Sequence, residues 1–161
     1  MPSRWPPLTG LPDDRVRRER AGPVPGPREP MSRLSRSALI VSDSAPLRRY
    51  IAASLAGARI ICSEAASGLQ AMDLISDRVF ALYIVDLDMA ANDGLAIFAI
   101  ALAGRDQQAS QAVIGCSEAP DEAMRREPWA GTKLFARLTK PFQPADIIAA
   151  AESALAERPQ A

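Results

Sequence analysis

The sequence places acidic, hydroxyl and ammonium side chains directly after four of its short apolar runs. In chain order they are Ser42, Asp43, Asp86, Asp88, Ser117 and Lys140. Clustered carboxylates repel one another, and Mg²⁺ relieves that repulsion because it prefers one or two carboxylates together with waters and phosphate oxygens. A carboxylate beside Mg²⁺ can attack a phosphoryl group, and an ammonium and a hydroxyl can stabilise the charge on its oxygens. The residue types therefore suit phosphoryl transfer onto an aspartate, if the fold brings them together.

The apolar runs themselves predict strands that are buried on both faces of a sheet. They lie at residues 38–41, 59–62, 81–85, 112–116 and 134–138. Helical patterns separate them, from a first helix that Ser44 caps and Gly57 ends to a last helix from Pro144 to about Glu157. Five strands alternating with five helices predict an α/β domain with one parallel sheet and helices on both of its faces.

The strands of a parallel sheet all end at the same edge, and ligands bind there, where the strand order changes direction. That edge would receive side chains from four strands: Ser42-Asp43 from the first, Asp86-Leu87-Asp88 from the third, Ser117 from the fourth and Lys140-Pro141 from the fifth. The sequence thus predicts one crevice that holds two or three carboxylates, a hydroxyl and an ammonium group.

Four motifs in this order resemble the signature of response-regulator receiver domains, as in chemotaxis response regulators of two-component signalling. They are Val41-Ser42-Asp43, Asp86-Leu87-Asp88-Met89 with Asp93-Gly94, Ser117, and Lys140-Pro141-Phe142. Each motif alone is a weak signal, whereas four in order at predicted strand ends are specific. The resemblance covers residues 37–157 and implies a flavodoxin-like, doubly wound fold with five strands in the order 2-1-3-4-5.

The resemblance also implies a role for each residue at the predicted crevice. Asp86 would be the phosphoacceptor and a Mg²⁺ ligand, Asp43 would bind the metal directly, and Asp88 would add its backbone carbonyl. Lys140 would bridge to the phosphoryl group, and Ser117 would donate its hydroxyl to that group and reorient on activation. The peptide bond after the lysine is expected to be cis.

Partners and location follow from the same resemblance and from the composition. The donor would be a sensor histidine kinase or a histidine phosphotransfer protein, and the chain would signal to a downstream protein without being an enzyme. The chain has no histidine, which fits a pure receiver, and its 19 bases balance 19 acids, so nucleic acid and anionic membrane are not expected as partners. No apolar run reaches the roughly 18 residues of a membrane span, and a signal core is lacking, so a cytoplasmic location is predicted.

Two positions depart from the family pattern. Ser42 stands where receivers usually carry a second acid, so metal binding should be weaker, with the Asp88 carboxylate compensating in part. Arg137 stands where an aromatic ring usually swings inward, and an arginine does not bury itself there without a partner. It is either part of the output face or a solvated strand-edge residue. Both departures favour an alternative, a degenerate receiver that binds partners without phosphorylation, whereas a nucleotide- or flavin-binding enzyme is disfavoured because no glycine follows the first strand.

The N-terminal segment differs sharply in composition from the rest of the chain. Residues 1–30 hold eight of the fourteen prolines and show no apolar periodicity. Residues 1–36 are therefore predicted to be a disordered Pro/Arg-rich extension, followed by a receiver domain at 37–158. Met31 offers a second translation start, and the sequence leaves open which of the two is used.

A few features outside the crevice allow two interpretations. Residues 95–102 are apolar all round the predicted helix, which indicates either a harmless alanine-rich surface or a face for partner docking or homodimer formation that would include Phe98 or Ile100. Trp129 is expected to pack against its own chain, with a surface anchor as the alternative. Cys62 and Cys116 are expected to be small core residues, and Asp93 is expected to cap the third helix.

Overall fold

The computed structural model describes residues 4–8, 36–105 and 112–157. Within these ranges five strands alternate with five helices. In chain order they are β1 (Ser37–Val41), α1 (Ala45–Gly57), β2 (Ile61–Ala65), α2 (Gly68–Asp77), β3 (Leu82–Asp86), α3 (Asp93–Arg105), β4 (Ala112–Ser117), α4 (Pro120–Ala123), β5 (Ala136–Thr139) and α5 (Pro144–Ala156). Most of the segment predicted to be disordered, residues 1–3 and 9–35, lies outside the described residues.

The strands form one parallel sheet in the order β2-β1-β3-β4-β5, which confirms the predicted flavodoxin-like arrangement. The order changes direction between β1 and β3, because the chain adds β2 on one side of β1 and the later strands on the other. Val41 pairs with Val85, and Asp86 pairs with Cys116. The carboxyl ends of β1, β3 and β4 therefore lie side by side at the expected ligand-binding edge.

Helices cover both faces of the sheet and bury its apolar side chains. Leu47, Ile51 and Leu55 of α1 and Ile147 of α5 belong to the core on one face. The other face is covered by α2, α3 and α4, and its core includes Phe98. The central strands β1 and β3 are almost entirely buried, which explains why they read as continuous apolar runs.

Two predicted strands are displaced along the chain. The second was predicted at residues 59–62 but runs from Ile61 to Ala65, because Arg59 has a φ of 63° and the Ile60 amide still bonds the Leu55 carbonyl at the end of α1. The fifth was predicted at residues 134–138 and begins later, at Ala136. Ile60 is buried in the turn that leads into β2, so it belongs to the apolar run without belonging to the strand.

Helix caps agree with the prediction at α1 and differ at α3. Ser44 caps α1 by accepting a hydrogen bond from the Leu47 amide. At α3 the cap is Asn92, whose Oδ1 accepts from the Leu95 amide at 2.9 Å, so the assignment of this role to Asp93 was wrong. The helix begins at Asp93, two residues before the apolar stretch at 95–102.

The apolar helix α3 buries one side and exposes isoleucines on the other. Phe98 is fully buried and therefore belongs to the core and not to an association face, whereas Ile97 and Ile100 are exposed. Trp129 is buried, so it packs within its own chain as expected. None of the helices in the described ranges is long and apolar enough to cross a membrane.

Candidate functional site

A cavity of about 490 Å³ opens at the carboxyl edge of the sheet. Asp43, Asp86, Asp88 and Lys140 line it, so three acids and the ammonium group predicted to converge do share one pocket. They come from the ends of β1, β3 and β5, which the parallel sheet brings to one edge. The central requirement of the sequence prediction is therefore met in the geometry.

Asp86 and Lys140 form the centre of this pocket. The Lys140 Nζ lies 2.5 Å from Asp86 Oδ1 and 3.2 Å from Asp88 Oδ2, and the side chains of Lys140 and Asp86 are only 7% and 4% exposed. The lysine backbone is held by a hydrogen bond from its amide to the Ser117 carbonyl, and the Lys140–Pro141 peptide bond is cis, as predicted. A buried carboxylate needs such a partner, because an unpaired charge away from water is costly.

Ser42 replaces the usual second acid and bonds directly to Asp86. Its side chain is fully buried, and its Oγ donates to Asp86 Oδ2 at 2.7 Å and accepts from the Ser44 amide at 3.0 Å. The Asp88 amide donates to the other Asp86 oxygen at 3.0 Å. Both Asp86 oxygens thus accept hydrogen bonds, and Lys140 supplies the compensating charge.

Asp88 and Ser117 hold each other in an arrangement that sequence reasoning did not predict. Ser117 Oγ donates to Asp88 Oδ1 at 2.6 Å, and the Glu118 amide donates to Asp88 Oδ2 at 2.9 Å. The hydroxyl expected to contact a phosphoryl group on Asp86 is therefore bonded to the neighbouring carboxylate. The same contacts hold the Asp88 carboxylate against the end of β4, and its predicted compensation for the missing acid at a metal stays a prediction.

The donor set for a metal is accordingly small. Among the described residues, no group of three or more Asp, Glu, Cys or His side chains is placed to hold a metal ion. Asp43, Asp86 and Asp88 all line the cavity, and Asp43 and Asp86 are the two whose carboxylates the sequence predicts to bind a metal. Two carboxylates with waters and phosphate oxygens match the preference of Mg²⁺, so the residues fit this ion.

Cys116 lies fully buried beneath the site on β4. Burial raises the pKa of its thiol to about 12; the charge of Lys140 lowers it by less, and Asp86 and Asp88 add to the rise. Burial, together with the charge of Glu64, likewise raises the pKa of the Cys62 thiol to about 12. Both thiols stay protonated at neutral pH, which agrees with their predicted role as packing residues.

Arg137 points to the protein surface. Its Nη1 lies 2.7 Å from Asp121 Oδ1, and the two side chains are 47% and 81% exposed. The pair links β5 to α4 near the site. The position that usually holds a mobile aromatic ring therefore carries an exposed ion pair in this protein.

The contacts of Arg48 and Trp5 at the site were missed from the sequence. Arg48 donates to the Ser42 carbonyl at 2.6 Å and lies 3.3 Å from Glu64. The sequence indicated only that Arg48 lies on the first helix, four residues after Ser44. Trp5 stacks on Tyr50, although the N-terminal extension was predicted to be disordered as a whole. The one signal in the sequence for this contact was Trp5 itself, a large aromatic residue in a proline-rich segment.

Comparisons with known proteins identify a family and a fold. A family model described as the response regulator receiver domain matches residues 38–152. Among solved structures, the chemotaxis response regulator CheY4 of Vibrio cholerae is 21% identical, with a TM-score of 0.60, and the match covers 73% of this chain and 97% of that one. A CheY-like receiver domain protein from Methanospirillum hungatei is 21% identical, with a TM-score of 0.61 and coverage of 74% and 94%. A search of curated proteins finds no match.

The family match covers all but the first residue of the sheet, and it includes Asp43, Asp86, Asp88 and Lys140 of the pocket. The similar structures, all near 20% identity, add the fold, which has the same strand order. Receiver domains are signalling modules of two-component systems. On this evidence the chain belongs to the response regulator receiver domain family.

Proposed function

We propose that this chain accepts a phosphoryl group on Asp86 in a Mg²⁺-dependent phosphorelay and signals through protein contacts. The observation that supports this most is the ammonium group of Lys140, 2.5 Å from Asp86 Oδ1 in a pocket that Asp43 also lines. A cation at this distance lowers the repulsion between the carboxylate and an incoming phosphoryl group, and it stabilises the charge on the transferring oxygens.

The transfer is a displacement at phosphorus. An Asp86 oxygen forms the new O–P bond while the P–N bond to a donor histidine breaks, and the histidine nitrogen leaves with the electron pair and takes a proton from solvent. Lys140 then moves its hydrogen bond to an oxygen of the phosphoryl group. Mg²⁺, held by Asp43, Asp86 and the Asp88 carbonyl, would supply further charge neutralisation when bound.

The change on phosphorylation is proposed to start at Ser117. To reach a phosphoryl group on Asp86, its hydroxyl must leave Asp88, to which it is bonded at 2.6 Å. That exchange also loosens the Asp88 contact with the Glu118 amide, at the start of the loop into α4. The Arg137–Asp121 pair joins α4 to β5, so a shift of this loop changes the surface that a downstream protein contacts.

Partners follow from the donor chemistry. The donor is proposed to be a sensor histidine kinase or a histidine phosphotransfer protein, because a phosphohistidine is reactive enough to phosphorylate a carboxylate. Since such kinases use ATP, the protein is proposed to work in the cytoplasm. Association as a homodimer stays a prediction, for which the exposed Ile97 and Ile100 are the candidates.

The decisive experiment follows the mass of the intact protein with acetyl phosphate and Mg²⁺, in wild type and in Asp86→Asn. The expected result is a gain of one phosphoryl group in wild type that is absent from the variant and absent when Mg²⁺ is chelated. Equal labelling of both proteins would refute Asp86 as the acceptor.

The alternative of a phosphorylation-independent receiver is favoured by one observation. The Asp86 carboxylate is already satisfied by Ser42, the Asp88 amide and Lys140 without any added cation. Beryllofluoride with Mg²⁺ mimics the phosphoryl group, and NMR separates the two functions. Shifts at Ser117 and along α4 support the phosphorelay, and an unchanged spectrum supports the alternative.

A further inference from the structure

Residues 4–8 are here called the N-terminal strap, and its first two residues, Arg4 and Trp5, line the cavity at the sheet edge. The Trp5 ring stacks on Tyr50 of α1, with centroids 5.2 Å apart and planes at 29°, and meets the edge of Phe142 at 5.2 Å and 64°. Tyr50 and Phe142 also contact each other, and the Tyr50 hydroxyl donates to the Phe142 carbonyl at 2.7 Å. Trp5 thus completes a cluster of three rings beside Lys140.

Arg4 attaches the strap to the opposite rim. Its guanidinium pairs with Glu118, whose backbone amide is bonded to Asp88. Both Arg4 and Trp5 line the same cavity as Asp43 and Asp86. The strap therefore runs from the α1 side of the pocket to the end of β4 and forms part of its mouth.

The contacts of the strap are strong enough to hold it in place and weak enough to be displaced. The Arg4–Glu118 pair is 57% and 60% exposed, so water screens it. Each aromatic contact multiplies the docking equilibrium by about 2-fold to 12-fold. Pro6 and Pro7 restrict the undocked segment and so reduce the entropy lost on docking.

We propose that the strap determines which phosphoryl donors reach Asp86, an inference that rests on the proposed function. A small acyl phosphate or phosphoramidate fits within the 490 Å³ cavity beneath the strap. A phosphohistidine on a folded domain is different, because its side chain reaches the 4% exposed Asp86 only if the domain surface meets the rim where Trp5 lies. A protein donor must therefore displace the strap, and a small donor need not.

The docked state is tested first, without any phosphorylation. In a Trp129→Phe background Trp5 is the remaining tryptophan, and acrylamide quenching of its fluorescence measures its exposure. Quenching is expected to be several-fold weaker than in a peptide of residues 1–8. Arg4→Glu should raise the quenching of Trp5, because it places two acids opposite each other, whereas Arg4→Lys should leave the quenching unchanged. Combining Arg4→Glu with Glu118→Arg restores opposite charges and should return the quenching to the lower value. Quenching equal to that of the peptide would overturn the proposal.

Donor selection is tested by comparing rate constants for acetyl phosphate and for a phosphorylated histidine phosphotransfer domain. In full-length Trp5→Ala the rate with the protein donor, relative to acetyl phosphate, should rise by about 4-fold to 140-fold, which is the product of the stabilising factors of the Tyr50 and Phe142 rings. Trp5→Phe, which keeps a ring, should give a smaller rise. An unchanged or lower ratio in Trp5→Ala would overturn donor selection. If neither donor phosphorylates wild type or any variant, the proposed function is overturned, and donor selection with it. The quenching experiment still decides in that case whether the strap docks.

Discussion

Replacing Ser42 by Asp restores a second acid beside Asp86 and gives the sharpest test of the electrostatics of this pocket. Ser42 Oγ lies 2.7 Å from Asp86 Oδ2 and is fully buried, so an aspartate here places two carboxylates about 4 Å apart. Their repulsion is about 1 kcal/mol at the dielectric constant of water and about 4 kcal/mol at an effective value near 20. The free energy of unfolding without metal should fall by an amount between these limits.

A divalent cation that relieves this repulsion should bind Ser42→Asp more tightly than wild type. The gain in affinity is about 5-fold if the repulsion is 1 kcal/mol and about 900-fold if it is 4 kcal/mol. Urea denaturation with and without Mg²⁺, together with calorimetric titration of Mg²⁺, measures both quantities. Ser42→Asn is the matched control, since it has a similar size and no charge, and its Mg²⁺ affinity should stay near that of wild type. If Ser42→Asp is as stable as wild type without metal and binds Mg²⁺ no more tightly, the reasoning is refuted.

Three further substitutions test the packing and charge around the site. Lys140→Met leaves the buried Asp86 carboxylate without its cation and should lower the free energy of unfolding, measured by urea denaturation, by about 3–5 kcal/mol. The loss should be smaller when Asp86→Asn is combined with it, and a loss under about 1 kcal/mol would contradict the ion pair. The pKa of the Cys116 thiol is about 12 in the folded chain against an ordinary 9.0, so the folded state holds the proton more tightly and the free energy of unfolding should fall as pH rises from about 9 to about 12. Cys116→Ala should flatten that fall, and an identical slope in both proteins would exclude the thiol as its cause. Gly68→Ala places a Cβ in steric overlap with the Gly94 carbonyl and should lower the free energy of unfolding by about 1–3 kcal/mol. In Gly94→Ala the new Cβ first meets the flexible Leu69 side chain, so the loss should be smaller. Equal thermal stability of Gly68→Ala and wild type would show that α2 and α3 can move apart.

The fold and the strand-end residues of the pocket were predictable because both depend on local patterns. Continuous apolar runs marked β1 and β3, since strands buried on both faces carry no polar alternation. Once the strands were parallel, their ends had to share an edge, and Asp43, Asp86 and Lys140 followed. The start of β2 was misplaced because Ile60 is buried in the turn that closes α1 and not in the strand.

The direction of each side chain within the pocket was decided by tertiary structure. Asp88 could have faced a metal or β4, and only the neighbouring end of β4, 29 residues further along the chain, brings the Ser117 hydroxyl within 2.6 Å of it. The contact of Ser42 with Asp86 joins positions 44 residues apart, and Trp5 meets Tyr50 and Phe142 from a segment with no helical or strand pattern. Residue order specifies which groups arrive at the sheet edge, because backbone hydrogen bonding sets where each strand ends. Which group bonds which depends on rotamers and on neighbours distant in sequence, and these are chosen only when the layers pack.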